Sequence, residues 1–219
     1  MLKKIILLTK SRKHGGYCTS GIDIENGNWI RIVSDGIGCQ KDEIPYDQLT
    51  YANGEEADIL DVLEVQCIQY KPNYYQPENY VNNKNIKWKK IGQADFDEVI
   101  RIHPFENKDY IYFDTNHSVA DSYVRELEDE DKYSLILIEV INPVIIVRTW
   151  EQGDKSVTLN FEYNGEKYKY FRMTDGFDLK YKDYSDGSYT ILGRLALIIS
   201  LGEVYDSKHY KLIAKVIKL

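Results

Sequence analysis

The chain has 219 residues, which is enough for one large domain or two small ones, and its charged fraction of 29% is that of an ordinary folded globule. A net charge of −7 argues against a protein that coats duplex DNA non-specifically, although it leaves open a groove that binds single strands, ends or nucleotides. The three cysteines have no CxxC spacing, which argues against a zinc ribbon or a disulfide framework.

Strand patterning dominates the N-terminal part of the chain, in the segments 2–9, 16–24, 28–34 and 58–70. The first segment is a continuous apolar run, which is typical of a strand covered on both faces. Asn26 and Gly27 separate the second segment from the third, and this dipeptide is the strongest short signal for a β-hairpin. We therefore predict a first small barrel over residues 1–72.

The centre of the chain, residues 73–132, predicts an insert of loops and short helices. It begins with a polar segment rich in Asn, Tyr, Pro and Gln. A short helix is predicted over residues 94–101, with Asp95 as N-cap and Glu98 three residues later. Residues 118–129 have apolar side chains at helical spacing, which predicts a second helix.

Strand patterning returns over residues 133–219, which we predict to form a second barrel. A first strand passes Pro143, and Asn164-Gly165 marks a second two-residue hairpin. The strand-like segments from residue 133 onward match the five strands of an OB-fold. No internal repeat is visible between the two halves, so the duplication is inferred from strand number.

A cationic segment lies between the first two predicted strands. Lys10, Arg12 and Lys13 occur within residues 10–17, and no carboxylate precedes Asp23. The glycine pair that follows them lets the main chain turn and present N–H groups to an anion. We expect a basic loop that binds phosphate or nucleic acid, and the alternative is a solvated turn with ordinary surface lysines.

We extend this candidate site to His14, Tyr17, Trp29 and Arg31. If residues 16–24 and 28–34 pair as a hairpin, their side chains are expected to line a face beside the basic loop. Aromatic side chains on such a face stack on bases, and arginine binds phosphate. The alternative for Trp29 is a place in the barrel core.

Cys18 follows the basic loop, and nearby cations would lower its pKa and make it a candidate nucleophile. Its position in an apolar strand pattern favours a buried, structural thiol instead. No histidine has metal-ligand spacing, so we expect neither a metal nor a cofactor. The apolar stretch behind Lys4 is too short for a signal peptide, and no segment reaches membrane-spanning length, so a cytoplasmic protein is expected.

Four stretches of the chain form a recognisable set: residues 3–18, the pattern from Gly21 to Arg31, Gln76-Pro77-Glu78-Asn79-Tyr80, and the ending Ile199-Ser200-Leu201-Gly202-Glu203 with His209-Tyr210-Lys211-Leu212. Together they are similar to the prokaryotic dual OB-containing domain family. This resemblance spans nearly the full length and implies a mainly β fold, with two OB-like small barrels and a partly helical central insert. It also implies a nucleic-acid role, and it implies no catalytic residues.

The leading hypothesis from the sequence is a non-catalytic module that binds single-stranded nucleic acid, an end or a nucleotide. One alternative is an enzyme that acts on nucleic acid or nucleotides, with His14 or Cys18 in the same pocket. Another is a protein-interaction adaptor or sensor in a prokaryotic defence system, which the acidic composition favours.

Overall fold

The computed structural model of the chain describes residues 1–13, 15–36 and 43–219, with only the main chain of Lys13. These residues divide into two compact units, Met1–Pro104 and Phe105–Leu219. The segment predicted as a central insert, residues 73–132, is therefore divided between the two units. Among the described residues, no helix has the length and apolar character needed to cross a lipid bilayer.

The first unit consists mainly of strands, with one short helix and a 3-10 turn at Tyr46–Leu49. Its elements are β1 (Leu2–Lys13), β2 (Gly16–Asp23), β3 (Trp29–Val33), β4 (Ile44–Pro45), β5 (Asp61–Tyr70), β6 (Asn79–Asn82), β7 (Lys89–Gln93) and α1 (Phe96–Ile102). Within the described residues, hydrogen bonds join the strands in the closed ring β1-β2-β3-β6-β5-β1. The β3–β6 pair is parallel and its neighbours in the ring are antiparallel. This connectivity is that of an OB-type barrel, so the fold class predicted from the sequence is confirmed for this unit.

The first strand is long enough to pair with two neighbours. Its beginning pairs with β5, where Leu2 lies opposite Gln66, and its end pairs with β2. The register shifts between Leu7 and Thr9, and such a bulge bends the strand around the barrel. Gly21 lies opposite this bend, where an added Cβ would be 2.1 Å from the carbonyl oxygen of Ile6. Only glycine permits that close approach.

A buried carboxylate ties the start of β5 to the segments on either side of it. Asp61 is 2% exposed and accepts hydrogen bonds from the Tyr51 hydroxyl at 2.5 Å and from the Asp58 N–H at 2.9 Å. Its other oxygen is 2.5 Å from Lys90 Nζ on β7. Burial raises the pKa of Asp61, but the hydrogen bonds from Lys90, Tyr51 and Asp58 outweigh burial and hold that pKa below its ordinary value.

We expect Asp61→Asn to destabilise the protein by about 2–4 kcal/mol at pH 7, because a neutral amide replaces a buried carboxylate that accepts hydrogen bonds from Tyr51 and Asp58 and pairs with Lys90. Since the folded-state pKa is depressed, this stabilisation is present above about pH 4 and is lost as the pH falls through the folded-state value. Urea unfolding at neutral and acidic pH measures both effects. Asp47→Asn, at an exposed position, is the control and should change the unfolding free energy by less than about 0.5 kcal/mol. An equal loss at both pH values would contradict the ionised carboxylate as the cause.

The second unit repeats the connectivity of the first. Its elements are β8 (Ser118–Ala120), α2 (Asp121–Glu126), β9 (Leu135–Ile141), β10 (Val144–Thr149), β11 (Lys155–Tyr163), β12 (Glu166–Met173), β13 (Gly187–Thr190), β14 (Arg194–Tyr205) and β15 (Lys208–Lys218). The strands follow the order β10-β11-β12-β15-β14-β9, and the β12–β15 pair is parallel. Only Asn142 and Pro143 separate β9 from β10, so the chain itself closes this second ring. Strands β9 and β10 together therefore correspond to the bent strand β1 of the first barrel.

Several local predictions agree with the structure. Both Asn-Gly turns are present, with Ile22 opposite Trp29 in the first hairpin and Tyr163 opposite Glu166 in the second. Asp95 caps α1 by accepting a hydrogen bond from the main-chain N–H of Glu98. The helix predicted over residues 118–129 is shorter, because its first residues form β8 and pair with β15.

A buried lysine holds an irregular turn in the second unit. Lys211 is 1% exposed, and its ammonium donates hydrogen bonds to the carbonyl of Ile111 at 2.7 Å and to the carbonyl and carboxylate of Asp114 at 2.8 and 2.6 Å. Burial lowers the pKa of Lys211, and the contacts with Asp114 offset part of that effect. Between these acceptors, Tyr112 and Phe113 have φ values of +48° and +78°, a region that side chains with a Cβ rarely adopt.

Candidate functional site

The predicted basic loop is a strand for most of its length, which corrects the sequence interpretation. β1 continues to Lys13, with Arg12 opposite Tyr17 and Lys13 opposite Gly16. The strand was predicted to end where its apolar run ends, but the ladder to β2 continues through the polar residues. His14, a predicted site residue, lies outside the described residues, and so does the side chain of Lys13.

The charges of this hairpin differ in their surroundings. Lys10 Nζ lies 3.2 Å from the Glu56 carboxylate and 3.9 Å from that of Asp58, and it donates a hydrogen bond to the carbonyl of Ala57. Carboxylates distant in the sequence therefore compensate Lys10. Arg12 is exposed, and no ion pair within the described residues involves it. The hairpin thus presents Arg12 to solvent beside a compensated Lys10.

A buried carboxylate also lies next to the hairpin turn. Glu43 is 1% exposed, and one of its oxygens is 3.4 Å from the main-chain N–H of Gly15. No described residue donates a hydrogen bond to its other oxygen, Oε1. The turn therefore combines the cations of β1 with a nearby negative charge.

Tyr17, Trp29 and Arg31 do not form one face. Tyr17 packs in the barrel core with Ile30 and Ile32, and its ring lies 5.5 Å from Lys10 Nζ. Trp29 is opposite Ile22, roughly 17 Å along β2 from Tyr17.

Trp29 and Arg31 have partners of their own on the opposite face of the hairpin from Tyr17. The Trp29 ring packs against His103 at 5.0 Å between centroids. Arg31 is 5% exposed and pairs with Glu78 at 3.4 Å. Of the predicted residues whose side chains the structure describes, Lys10, Arg12 and Tyr17 lie close together, apart from Trp29 and Arg31.

A groove on the second barrel was not predicted from the sequence. It has a volume of about 550 Å³ and lies on the outward face of three adjacent strands, β11, β12 and β15. The side chains on this face are Ser156, Thr158, Tyr170, Arg172, Tyr210 and Leu212. In OB-folds, the face of the second and third strands and the turn between the first two strands bind oligomeric ligands.

Two exposed aromatic side chains line this groove. Trp150 is 51% exposed and lies in the turn between β10 and β11, with the guanidinium of Arg148 over its ring at 4.4 Å. Tyr170 is 56% exposed and has a φ of +63°. The β11–β12 register shifts between Leu159 and Phe161, and this bulge directs the Tyr170 ring outward. Exposed rings of this size are favourable surfaces for stacking.

Charged side chains also line the groove, and cations outnumber carboxylates among them. Lys155, Arg172 and Lys182 line it at exposed positions, together with the carboxylates of Asp154 and Asp178. Lys155 is held by a hydrogen bond to the carbonyl of Tyr184 at 2.8 Å. The groove is thus locally cationic on a chain whose net charge is −7.

Sequence reasoning missed the groove because its side chains come from distant segments. Trp150 directly follows a strand-like apolar segment, while Tyr170 and Arg172 have the ordinary pattern of an exposed strand face. One available signal was positional: Trp150 follows the first strand of the second barrel, and the basic residues lie at the end of the first strand of the first barrel.

The comparisons with known proteins agree with this repeated architecture. The sequence profile of the dual OB-containing domain matches residues 3–216, which is nearly the whole chain. No curated protein and no solved structure matched the sequence or fold of this chain. With two rings of the same connectivity and a profile match of this extent, the chain belongs to the dual OB-containing domain family.

Proposed function

We propose that the protein is a non-catalytic module that binds single-stranded nucleic acid through the groove of its second barrel. The observation that carries this proposal is the pair of exposed rings, Trp150 and Tyr170, beside Arg172 on the outward face of an OB-type barrel. Nucleic-acid bases stack on such rings whatever their sequence, because every base has a π-face. Arg172 can hold two phosphate oxygens at once, so the groove offers stacking and phosphate contacts together.

The cationic hairpin of the first barrel is a second proposed contact. Arg12 is exposed, and Lys13 follows it at the turn between the first two strands of the barrel. Lys10 contributes less than the sequence suggested, because Glu56 and Asp58 already compensate its charge. Trp29 and Arg31 could contact the nucleic acid only if their side chains left their present partners, His103 and Glu78.

We expect oligo-dT and oligo-U of about 15 nucleotides to quench the tryptophan fluorescence, because Trp150 is the most exposed of the three tryptophans. Titration at about 50 and about 200 mM salt should show weaker binding at the higher concentration. Arg172→Gln is expected to reduce affinity about tenfold and to lower the salt slope by about 0.7, the value for one phosphate contact on a single strand.

Matched variants separate the two barrels. Arg12→Gln with Lys13→Gln should lower the salt slope while leaving the fluorescence quenching of Trp150 intact, since the hairpin lies outside the groove. Arg101→Gln, an exposed cation on α1, should leave affinity and slope unchanged. Absence of binding by either oligomer at low salt would overturn the proposed function. An unchanged affinity of Arg172→Gln would mean that the groove is not the binding site for the oligomers.

A further inference from the structure

A second cavity in the same unit has a different chemical character. It has a volume of about 320 Å³, opens to solvent, and is lined by aromatic rings with carboxylates at their edge. The rings are Tyr110, Phe113, Tyr123 and Tyr133, and the carboxylates are Asp109, Glu130 and Asp131. We refer to these residues as the aromatic cage.

The rings of the aromatic cage line its sides at inclined angles and do not stack face to face across it. Phe113 lies 5.3 Å from Tyr123 and 5.7 Å from Tyr133, with the ring planes inclined at 58° and 61°. Tyr110 and Tyr123 are 42% and 47% exposed. The rings of Tyr110 and Tyr123 therefore remain accessible to solvent, and the faces of such rings attract cations.

The backbone holds Phe113 in this position against its conformational preference. Phe113 follows Tyr112 in the irregular turn, where both have positive φ values. The Tyr112 hydroxyl donates a hydrogen bond to the carbonyl of Ile199 at 2.7 Å, and Lys211 binds the carbonyls on both sides of the turn. A turn that is fixed so strongly keeps the aromatic wall in place without a ligand.

The chain already places one of its own cations at this cavity. Lys108 Nζ lies 4.7 Å above the Tyr133 ring. The edge of the cavity is acidic, and no ion pair of the described residues involves Glu130 or Asp131, whereas Asp129 is paired with Lys132 at 2.7 Å. Aromatic faces and unpaired carboxylates together favour a cation.

We propose that the aromatic cage docks a lysine or arginine side chain from a basic segment of a partner protein. The acidic run of residues 126–131 extends the negative edge beyond the cavity, where it would meet further cations of the same segment. The same carboxylates repel a phosphate backbone, so this surface is distinct from the cationic groove. A small inorganic cation would use the carboxylates alone and would leave the exposed rings without a role.

Fluorescence anisotropy with labelled lysine-rich and arginine-rich peptides tests this proposal. Tyr123→Ala should weaken peptide binding about three- to thirtyfold, the range of one desolvated cation–π contact. Glu130→Gln with Asp131→Gln should weaken it as well, whereas Glu162→Gln with Glu166→Gln, the same charge change at exposed positions in this unit, should not. None of these variants should weaken oligo-dT binding.

Lys108→Gln distinguishes docking in the aromatic cage from general electrostatic attraction to an acidic protein. It removes the internal cation from the aromatic cage, so peptide affinity should rise several-fold. Lys169→Gln, an exposed lysine with the same charge change, should have a smaller effect. Equal effects at the cage and control positions would mean that overall negative charge holds the peptides, and absence of binding by both peptides would overturn the proposal.

Discussion

Lys211→Met is expected to lower the free energy of unfolding by about 2–4 kcal/mol, because it removes a buried ammonium that donates three hydrogen bonds. Methionine fills a similar volume, so lost packing contributes little to this change. The buried carbonyl of Ile111 and the partly buried carbonyl and carboxylate of Asp114 would lose this donor. The strained turn at Tyr112 and Phe113 would lose its main restraint at the same time.

Urea unfolding followed by circular dichroism measures this effect. Lys208→Met, at an exposed position on the same strand, is the control and should change stability by less than about 0.5 kcal/mol. A loss below about 1 kcal/mol for Lys211→Met would mean that the turn does not need the ammonium.

Trp150→Ala with Tyr170→Ala is expected to abolish most binding of single strands. Each stacked base contributes about 1–3 kcal/mol, so the double variant should lose about 2–6 kcal/mol of binding free energy. Both rings are more than half exposed, so the fold should not change.

Anisotropy with labelled oligo-dT measures this affinity without relying on Trp150 fluorescence. Tyr184→Ala, which removes a 45% exposed ring that does not line the groove, is the matched control. Unchanged affinity of the double variant would contradict stacking, and binding would then have to depend on charge alone.

Local sequence signals predicted the local structure well. The apolar run of β1, both Asn-Gly turns and the Asp95 cap depend on neighbouring residues, so a single sequence contains the necessary information. Strand β7 was missed because its side chains are mostly exposed and lack the alternation of a half-buried strand. It forms because β5 offers it an unpaired edge.

The candidate site was harder to predict because its contacts join distant residues. Arg31 and Glu78 are separated by 47 positions, and the partners of Lys10 come from the connection between β4 and β5. A cationic cluster in the sequence does not reveal which charges the fold will compensate. The groove likewise depends on the parallel β12–β15 pair, which no local pattern specifies.

The bent first strand of each barrel determines when that barrel can close during synthesis on the ribosome. Leu2 must wait for Gln66, and Val33 must wait for Val81, before the first ring is complete. The second ring needs β14 and β15, which come after all the other strands of this barrel in the chain. The N-terminal barrel can therefore close while most of the second is still being translated, whereas the groove forms only once its last strand, β15, has been released.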